Sequence, residues 1–402
     1  MFNPKTIAIS GPLEVHVDGF WAHLLELGYA PLSARNQLYV FRQLSQWVAQ
    51  QELELDDLSG DQLGRFLSYR RAEGFVSHLS LSGLDQVLNY LRSAGVVPPE
   101  SPWYGPLPEL DQWLCQYKEY LVTERALNPS TVAHLQNIAR QFLSCRFGNG
   151  KLHFDRLAAC DVSTFVLKES KGMAAGTAKL LVSALRSLLK FLYIRGELAL
   201  DLTGAVPSVP GWRLRGLPKG LAPQEVKELL RSCDRRKCIG RRNYAVLLLM
   251  ARLGLRAIEI ARLTLDDIDW HQGELTIHGK GGRQDCLTLP QEVGAAMASY
   301  LHRSRPCCLF RSVFSTVRAP IRPLTSGAIV SIAGYAGQRI GLPVSAHTLR
   351  HTAATEMLRN GASLSDIAQV LRHQSTDTTA IYAKVDQHAL RMVCRPWPGG
   401  TS

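Results

Sequence analysis

His347 and Arg350 stand three residues apart in Ser345-Ala-His-Thr-Leu-Arg-His-Thr, and their types suit the handling of a phosphate. An arginine fork offers two donors to two oxygens of one phosphate group. A histidine beside it serves as a switchable donor or base. Upstream lie Arg256 and Lys280; downstream lie His373 and, nine positions later, Tyr382. These six residues are enough for a reaction. Tyr382 brings a phenolic oxygen that attacks phosphorus and holds it as a phosphotyrosine. Arg256 and Arg350 clamp the non-bridging oxygens of a pentacoordinate phosphate. Lys280 protonates the departing 5′ oxygen of a DNA strand, and His373 donates a hydrogen bond to the same phosphate. Fixed cations then do the work of metal ions. The tyrosyl bond stores the energy of the bond it replaces, so no metal, cofactor or ATP is expected.

Two other chemistries fit worse. His347 and His351 are spaced i, i+4 like a metal pair, but Thr348 stands where a zinc protease needs Glu. Lys280 sits on the glycine-rich turn Gly279-Lys280-Gly-Gly-Arg283, which lacks the spacing of a nucleotide-binding loop and joins two strands instead of opening a helix.

The elements that position these residues follow from periodicity and punctuation. Ser345 caps a helix whose Leu349, Ala353 and Met357 recur on one buried face, predicting a helix over His347–Asn360. His347 and Arg350 then point the same way. Further helices are expected at Val226–Cys233, Arg242–Leu253, Gln291–Arg303, Ser326–Gln338, Leu364–Leu371 and around Thr378–Lys384, with a capping box from Ser363 to Asp366. A new helix starts after Gly254-Leu-Arg256. Three short strands are expected at Asp267–Trp270, Glu274–His278 and Asp285–Leu289. The fold class is therefore mainly α with a small three-stranded antiparallel sheet.

Ahead of this segment the chain reads as helical throughout, and at 402 residues several domains are expected. A proline-rich break at Val97-Pro98-Pro99 through Pro108 separates residues 1–100 from a second helical domain, 105–206. The two resemble each other. Pro31 compares with Pro129, Phe66 with Phe165 and Tyr90 with Phe191, at offsets of 98, 99 and 101 residues, which fits a duplicated helical bundle with small loop changes. Residues 207–221 form a basic, proline-rich linker, 222–386 a further domain and 387–402 a tail. The chain is 46% apolar and 20% charged, which is globular, and its formal charge of +12 favours a polyanionic partner. Candidate DNA contacts are Lys179, Arg186 and Lys190 on one helix face, Arg213 and Arg215 in the linker, Arg241 and Arg242 in the densest basic cluster, and Arg283 beside the hairpin turn. Nine scattered cysteines, no signal-peptide layout and no membrane-length apolar run point to a reduced, cytoplasmic setting.

These words, in this order, resemble the catalytic domain of the tyrosine recombinase (phage-type integrase) family. The pattern reads Gly254-Leu-Arg256-x-x-Glu259, Gly279-Lys280-Gly, His347-x-Leu-Arg350-His351, Leu371-Arg372-His373 and Tyr382. Residues 110–200 resemble the family's core-binding helical domain. The resemblance implies Tyr382 as nucleophile, Lys280 as general acid, Arg256 and Arg350 as phosphate ligands, His347 as base or donor and His373 as transition-state donor. It implies that Glu259 orients the site from a buried position. It also implies a C-shaped clamp on duplex DNA, a homotetramer at synapsis, sister recombinases in some systems, and strand exchange through a 3′-phosphotyrosine and a Holliday junction. Two features depart from the pattern. Arg372 replaces the usual Gly, and residues 1–100 form an extra segment, expected to be an accessory DNA-binding domain. Two alternative readings are a type IB topoisomerase-like relaxing enzyme and a non-catalytic DNA-binding accessory factor. The doubled helical domain disfavours the first, and the complete set of six residues disfavours the second.

Overall fold

A computed structural model describes residues 8–58, 60–97, 108–148, 150–209, 220–279, 283–372, 379 and 382. The chain is mainly helical, with one three-stranded antiparallel sheet in the order β1-β2-β3. It divides into two compact units, one of Met1–Pro99 with Gly216–Ser402, the other of Glu100–Arg215. No helix among the described residues is long and apolar enough to cross a membrane.

In the first unit the chain opens with α1 (Val17–Glu26), α2 (Pro31–Gln50), α3 (Gly60–Ala72) and α4 (Leu81–Ser93). Pro31 occupies the first turn of α2, where its missing N–H is no loss. Their apolar faces close over Phe20, Phe41, Leu44, Trp47, Phe66 and Leu91, with Phe20 stacked on Phe41 at 4.6 Å. The amide of Ile321 donates to the carbonyl of Leu27 at 2.8 Å, which ties this bundle to the rest of its unit.

The second unit holds α5 (Glu109–Thr123), α6 (Pro129–Phe147), α7 (Ala159–Glu169) and α8 (Ala175–Ile194) around their own core, which includes Leu114, Tyr117, Phe142, Phe165, Leu185 and Leu192. Asn128 caps α6 by accepting from the Thr131 amide at 2.9 Å.

The remainder of the first unit starts with α9 (Pro223–Arg231), α10 (Cys238–Leu253) and α11 (Ala257–Arg262). It continues through β1 (Ile268–Asp269), β2 (Glu274–His278) and β3 (Gln284–Thr288), then α12 (Gln291–Arg303), α13 (Ser326–Arg339), α14 (Ala346–Arg359) and α15 (Leu364–Val370). The β2–β3 hairpin pairs Leu275 with Leu287 and Ile277 with Asp285. Helix α10 is the axis of this core. Ala245 through Ala251 are all fully buried, because a helix that is apolar all round needs neighbours all round. It begins four residues before the expected Arg242, inside the basic cluster, where a polar first turn gives no periodic signal. The capping box of α15 forms as expected, the Ser363 hydroxyl accepting from the Asp366 amide at 3.1 Å and donating to its carboxylate at 2.7 Å. The helix expected around Thr378–Lys384 lies outside the described residues except for Thr379 and Tyr382.

Candidate active site

The site assembles where α10 stops. Gly254 takes the left-handed conformation, φ +61°, that ends a helix most easily at glycine. A Cβ here would lie 2.5 Å from Leu371 Cδ2, so any side chain would require the buried Leu371 to shift. The freed carbonyl of Gly254 accepts from Arg350 Nη1 at 2.6 Å, and Arg350 Nη2 donates to the carbonyl of Leu371 just beyond α15. Arg350 is 5% exposed. Burial, followed by the charge of Arg256, pushes its pKa down to about 10, which leaves it cationic at neutral pH.

Arg256 stands at the start of α11. Glu259 reaches back one turn to it, accepting from its amide at 2.8 Å and from Nη1 at 2.6 Å. Arg256 Nη2 donates to the carbonyl of Arg372 at 3.3 Å. The last carbonyls of a helix lack internal partners and favour cations. The chain leaving α15 therefore holds both guanidinium groups, through the carbonyls of residues 371 and 372. The Arg256 side chain remains 41% exposed, against 3% for Glu259. The site is thus open on the Arg256 side.

Glu259 has a second partner that the sequence reading did not foresee. Arg372 Nη2 donates to its Oε2 at 2.8 Å, with both side chains almost wholly buried. Burial alone would raise the Glu259 carboxyl. The Arg372 charge and the hydrogen bonds from Arg256 and Arg372 outweigh it and hold the pKa below the ordinary carboxylate value. The positive charge that Arg372 adds is therefore paired. Its backbone, at φ +54°, occupies the left-handed region where the family pattern has glycine.

Helix α14 carries the remaining groups. Ser345 caps it, its hydroxyl accepting from the Thr348 amide at 3.1 Å. Leu349 and Ala353 are buried on one side, which turns His347, Arg350 and His351 toward the site. The rings of His347 and His351 meet edge to face at 4.3 Å. Burial, then Arg350 and Arg256, lower the His347 pKa. Tyr382 is 2% exposed, packed against Ala354, Ile367 and Leu371. Its hydroxyl lies 2.8 Å from His351 Nδ1, and burial, partly offset by Arg350, pushes its pKa up to about 12.

The structure thus brings Arg256, Glu259, His347, Arg350 and Tyr382 together. Lys280, His373, Arg213 and Arg215 lie outside the described residues. Among the expected DNA contacts, Lys179, Arg186 and Lys190 are exposed on α8, although Arg186 also donates to the Val206 carbonyl at 3.0 Å and Lys190 pairs with Asp201 at 3.7 Å. Arg283 is exposed, its carbonyl accepting from the Gly279 amide at 2.8 Å. Arg241 is half-buried against the Ser304 hydroxyl. Arg242 departs from expectation. It is buried, with its guanidinium donating to the Ser315 carbonyl and the Asn243 side chain, so it holds the core together and is not presented to a partner. Sequence reasoning gives two of the site residues, His351 and Arg372, no part in the reaction. The i, i+4 spacing of His347 and His351 was a usable signal, since it puts both rings on one face.

Residues 219–388 match the phage integrase family and residues 114–196 match the phage integrase N-terminal SAM-like domain. The y4rA protein of Sinorhizobium fredii is 39% identical over 396 residues, covering 97% of this chain and 95% of that protein. Tyrosine recombinase XerC of Lactobacillus delbrueckii subsp. bulgaricus is 30% identical over 288 residues, covering 70% of this chain and 96% of that one. In fold, the chain is similar to XerH site-specific recombinase in its post-cleavage complex with a difH substrate, at a TM-score of 0.54, 19% identity and coverage of 82% of this chain and 93% of that one. The near-full-length y4rA relative is named a putative integrase/recombinase, and Arg256, Glu259, His347 and Tyr382 lie around Arg350. The chain therefore belongs to the phage integrase family of tyrosine recombinases.

Proposed function

We propose that this recombinase cuts and rejoins duplex DNA at specific sites through a 3′-phosphotyrosine on Tyr382, without metal or ATP. Arg256 and Arg350 hold the non-bridging oxygens of the scissile phosphate, and Glu259 keeps Arg256 in place. Lys280 gives a proton to the 5′ oxygen as the P–O bond breaks, His347 acts as base or donor, and His373 donates to the phosphate. Two successive strand exchanges pass through a Holliday junction in a homotetramer, with sister recombinases as optional partners. Residues 105–206 and 222–386 clamp the duplex from a basic chain with a charge of +12. Residues 1–100 serve as an accessory DNA-binding domain, and the enzyme works in the cytoplasm. One observation carries the reading. A buried arginine, a second arginine aligned by a buried glutamate and a tyrosine hydroxyl held by the same helix as the first arginine meet at one place. That is the minimum a phosphoryl exchange onto tyrosine needs.

The test is a duplex nicked beside the cleavage site, which traps the covalent adduct because the cut fragment diffuses away. The full chain should accumulate a protein–DNA adduct, and Tyr382→Phe should give none. With Lys280→Ala, cleavage should slow far less when the leaving oxygen is replaced by sulfur, which needs no proton. Equal slowing on both substrates would remove Lys280 from the acid role.

A further inference from the structure

His351 has no part in the roles just assigned, yet it makes a hydrogen bond with the Tyr382 hydroxyl, Nδ1 to oxygen at 2.8 Å. Both sides of this contact are fixed by packing. Tyr382 is enclosed by Ala354, Ile367 and Leu371, and the His351 ring is braced edge to face by His347. His351 also follows Arg350 directly on α14, so one rigid helix sets the phosphate clamp and this imidazole together. We propose that His351 Nδ1 takes the Tyr382 proton during strand cleavage, leaving His347 to donate to the phosphate.

The proposal rests on Tyr382 being the nucleophile. The imidazole is neutral, with its own proton on Nε2 and a lone pair on Nδ1. As Tyr382 Oη bonds to phosphorus, its proton moves to Nδ1 and the O–H electron pair stays on oxygen. The P–O5′ bond breaks with its electrons on the 5′ oxygen, which takes a proton from Lys280. Rejoining runs the same transfers backwards. The electrostatics agree with the geometry. Burial, then His347, then Arg350, push the His351 pKa down to about 4, so its lone pair is free at neutral pH. A phenol held near 12 does not ionise unaided and needs an acceptor. The charged and titratable groups around the pair, among the described residues, are His347 and Arg350 on α14, with Arg256 acting on both. A phosphate bound by the two arginines would offset the Arg350 charge, one of the causes that depress His351, and so raise its proton affinity when the tyrosine attacks.

The experiment uses the full chain on the nicked duplex, measuring single-turnover adduct formation against pH and DNA binding separately. His351→Asn keeps an acceptor near the Nδ1 position but holds no proton. It should bind DNA normally, cleave about 10²–10³-fold more slowly at neutral pH and gain rate as pH rises and hydroxide replaces the base. His351→Ala should regain part of its rate on addition of imidazole, a readout that a structural role does not produce. Tyr382→Phe separates the two readings. If His351→Asn cleaves at the wild-type rate with the wild-type pH profile while Tyr382→Phe is dead, His351 is not the proton acceptor and the nucleophile stands. If His351→Asn cleaves faster, the bond is a latch on the tyrosine and the proposal is overturned. If Tyr382→Phe still forms the adduct, the nucleophile is misassigned and this inference goes with it.

Discussion

Helix α10 ends between two kinds of interior. Behind Gly254, Ala245 to Ala251 are buried in hydrocarbon from α12, α13 and α14, where any close-packed apolar neighbour will serve. Beyond Gly254, the side chains of Arg350, Glu259 and Arg372 are also largely buried, but each depends on named partners at hydrogen-bond distance. Non-directional burial supplies stability, and directional burial supplies geometry. Substitutions on the two sides should therefore separate folding from catalysis. The largest effect is expected from Arg350→Ala. It removes one phosphate clamp and leaves the carbonyls of Gly254 and Leu371 without their guanidinium. Adduct formation on the nicked duplex should fall on the order of 10³-fold. Arg350→Lys should recover little, because a point charge does not span two carbonyls and a phosphate. A loss below tenfold would mean that the clamp lies elsewhere.

On the other side, Leu248→Ala should lower stability by about 2–5 kcal/mol through a cavity in the α10 core. Thermal unfolding would read this directly. The cleavage rate per folded molecule should stay at the wild-type level, since Leu248 belongs to the apolar core. If cleavage falls in step with the Arg350 variant, the two interiors are not separable.

The same division sets what the sequence could disclose. Non-directional burial writes itself as periodicity, so β2 and α12 begin and end where apolar spacing and punctuation put them. The residue types of the site were equally legible, because Arg256, His347, Arg350 and Tyr382 have few other reasons to occur in those words. Their partners were not legible. Arg350 is held by two main-chain carbonyls, and any residue has a carbonyl. Arg372 stands out in the sequence only as a departure from the usual Gly, because nothing in a linear chain places it beside Glu259, 113 positions away. Arg242 looked like a DNA contact because a basic cluster does not reveal which of its members turns inward. For His351 the sequence suggests no partner, since Tyr382 comes from a different part of the chain.

Acid titration sharpens the comparison, because only the directional interior contains groups that take protons. His351 has a folded-state pKa of about 4 against an ordinary 6.5, so the unfolded chain binds the proton first. Stability should therefore fall as pH drops below 6.5, with the His351 share levelling off near 4. Discounted for its half-burial, that share is about 1–2 kcal/mol. His351→Asn should reduce the slope across this window in denaturant unfolding followed against pH, leaving the share of His347, whose pKa is also lowered. Glu259 acts lower. Its folded pKa lies below the ordinary 4.5, so its contribution is present above that value and is lost as pH falls through the folded pKa. Glu259→Gln should leave the window between 6.5 and 4.5 intact and change only the more acidic limb. If the two variants alter the same window, the assignments are wrong.

The smallest expected effect isolates backbone from charge at Arg372. Its φ of +54° is a conformation that a side chain makes unfavourable by about 1 kcal/mol and that glycine adopts freely. Its guanidinium in turn donates to Glu259 and to the carbonyl of Val370. Arg372→Ala removes those bonds and keeps the unfavourable backbone. Arg372→Gly removes the same bonds and relieves the backbone. Both should therefore slow cleavage by the same modest factor, since both leave Glu259 to Arg256 alone. Chemical unfolding should nevertheless find the glycine variant about 1 kcal/mol more stable than the alanine variant. Equal stability would show that residue 372 is not held left-handed in solution. The carbonyl that accepts from Arg256 would then be positioned by something other than the turn leaving α15.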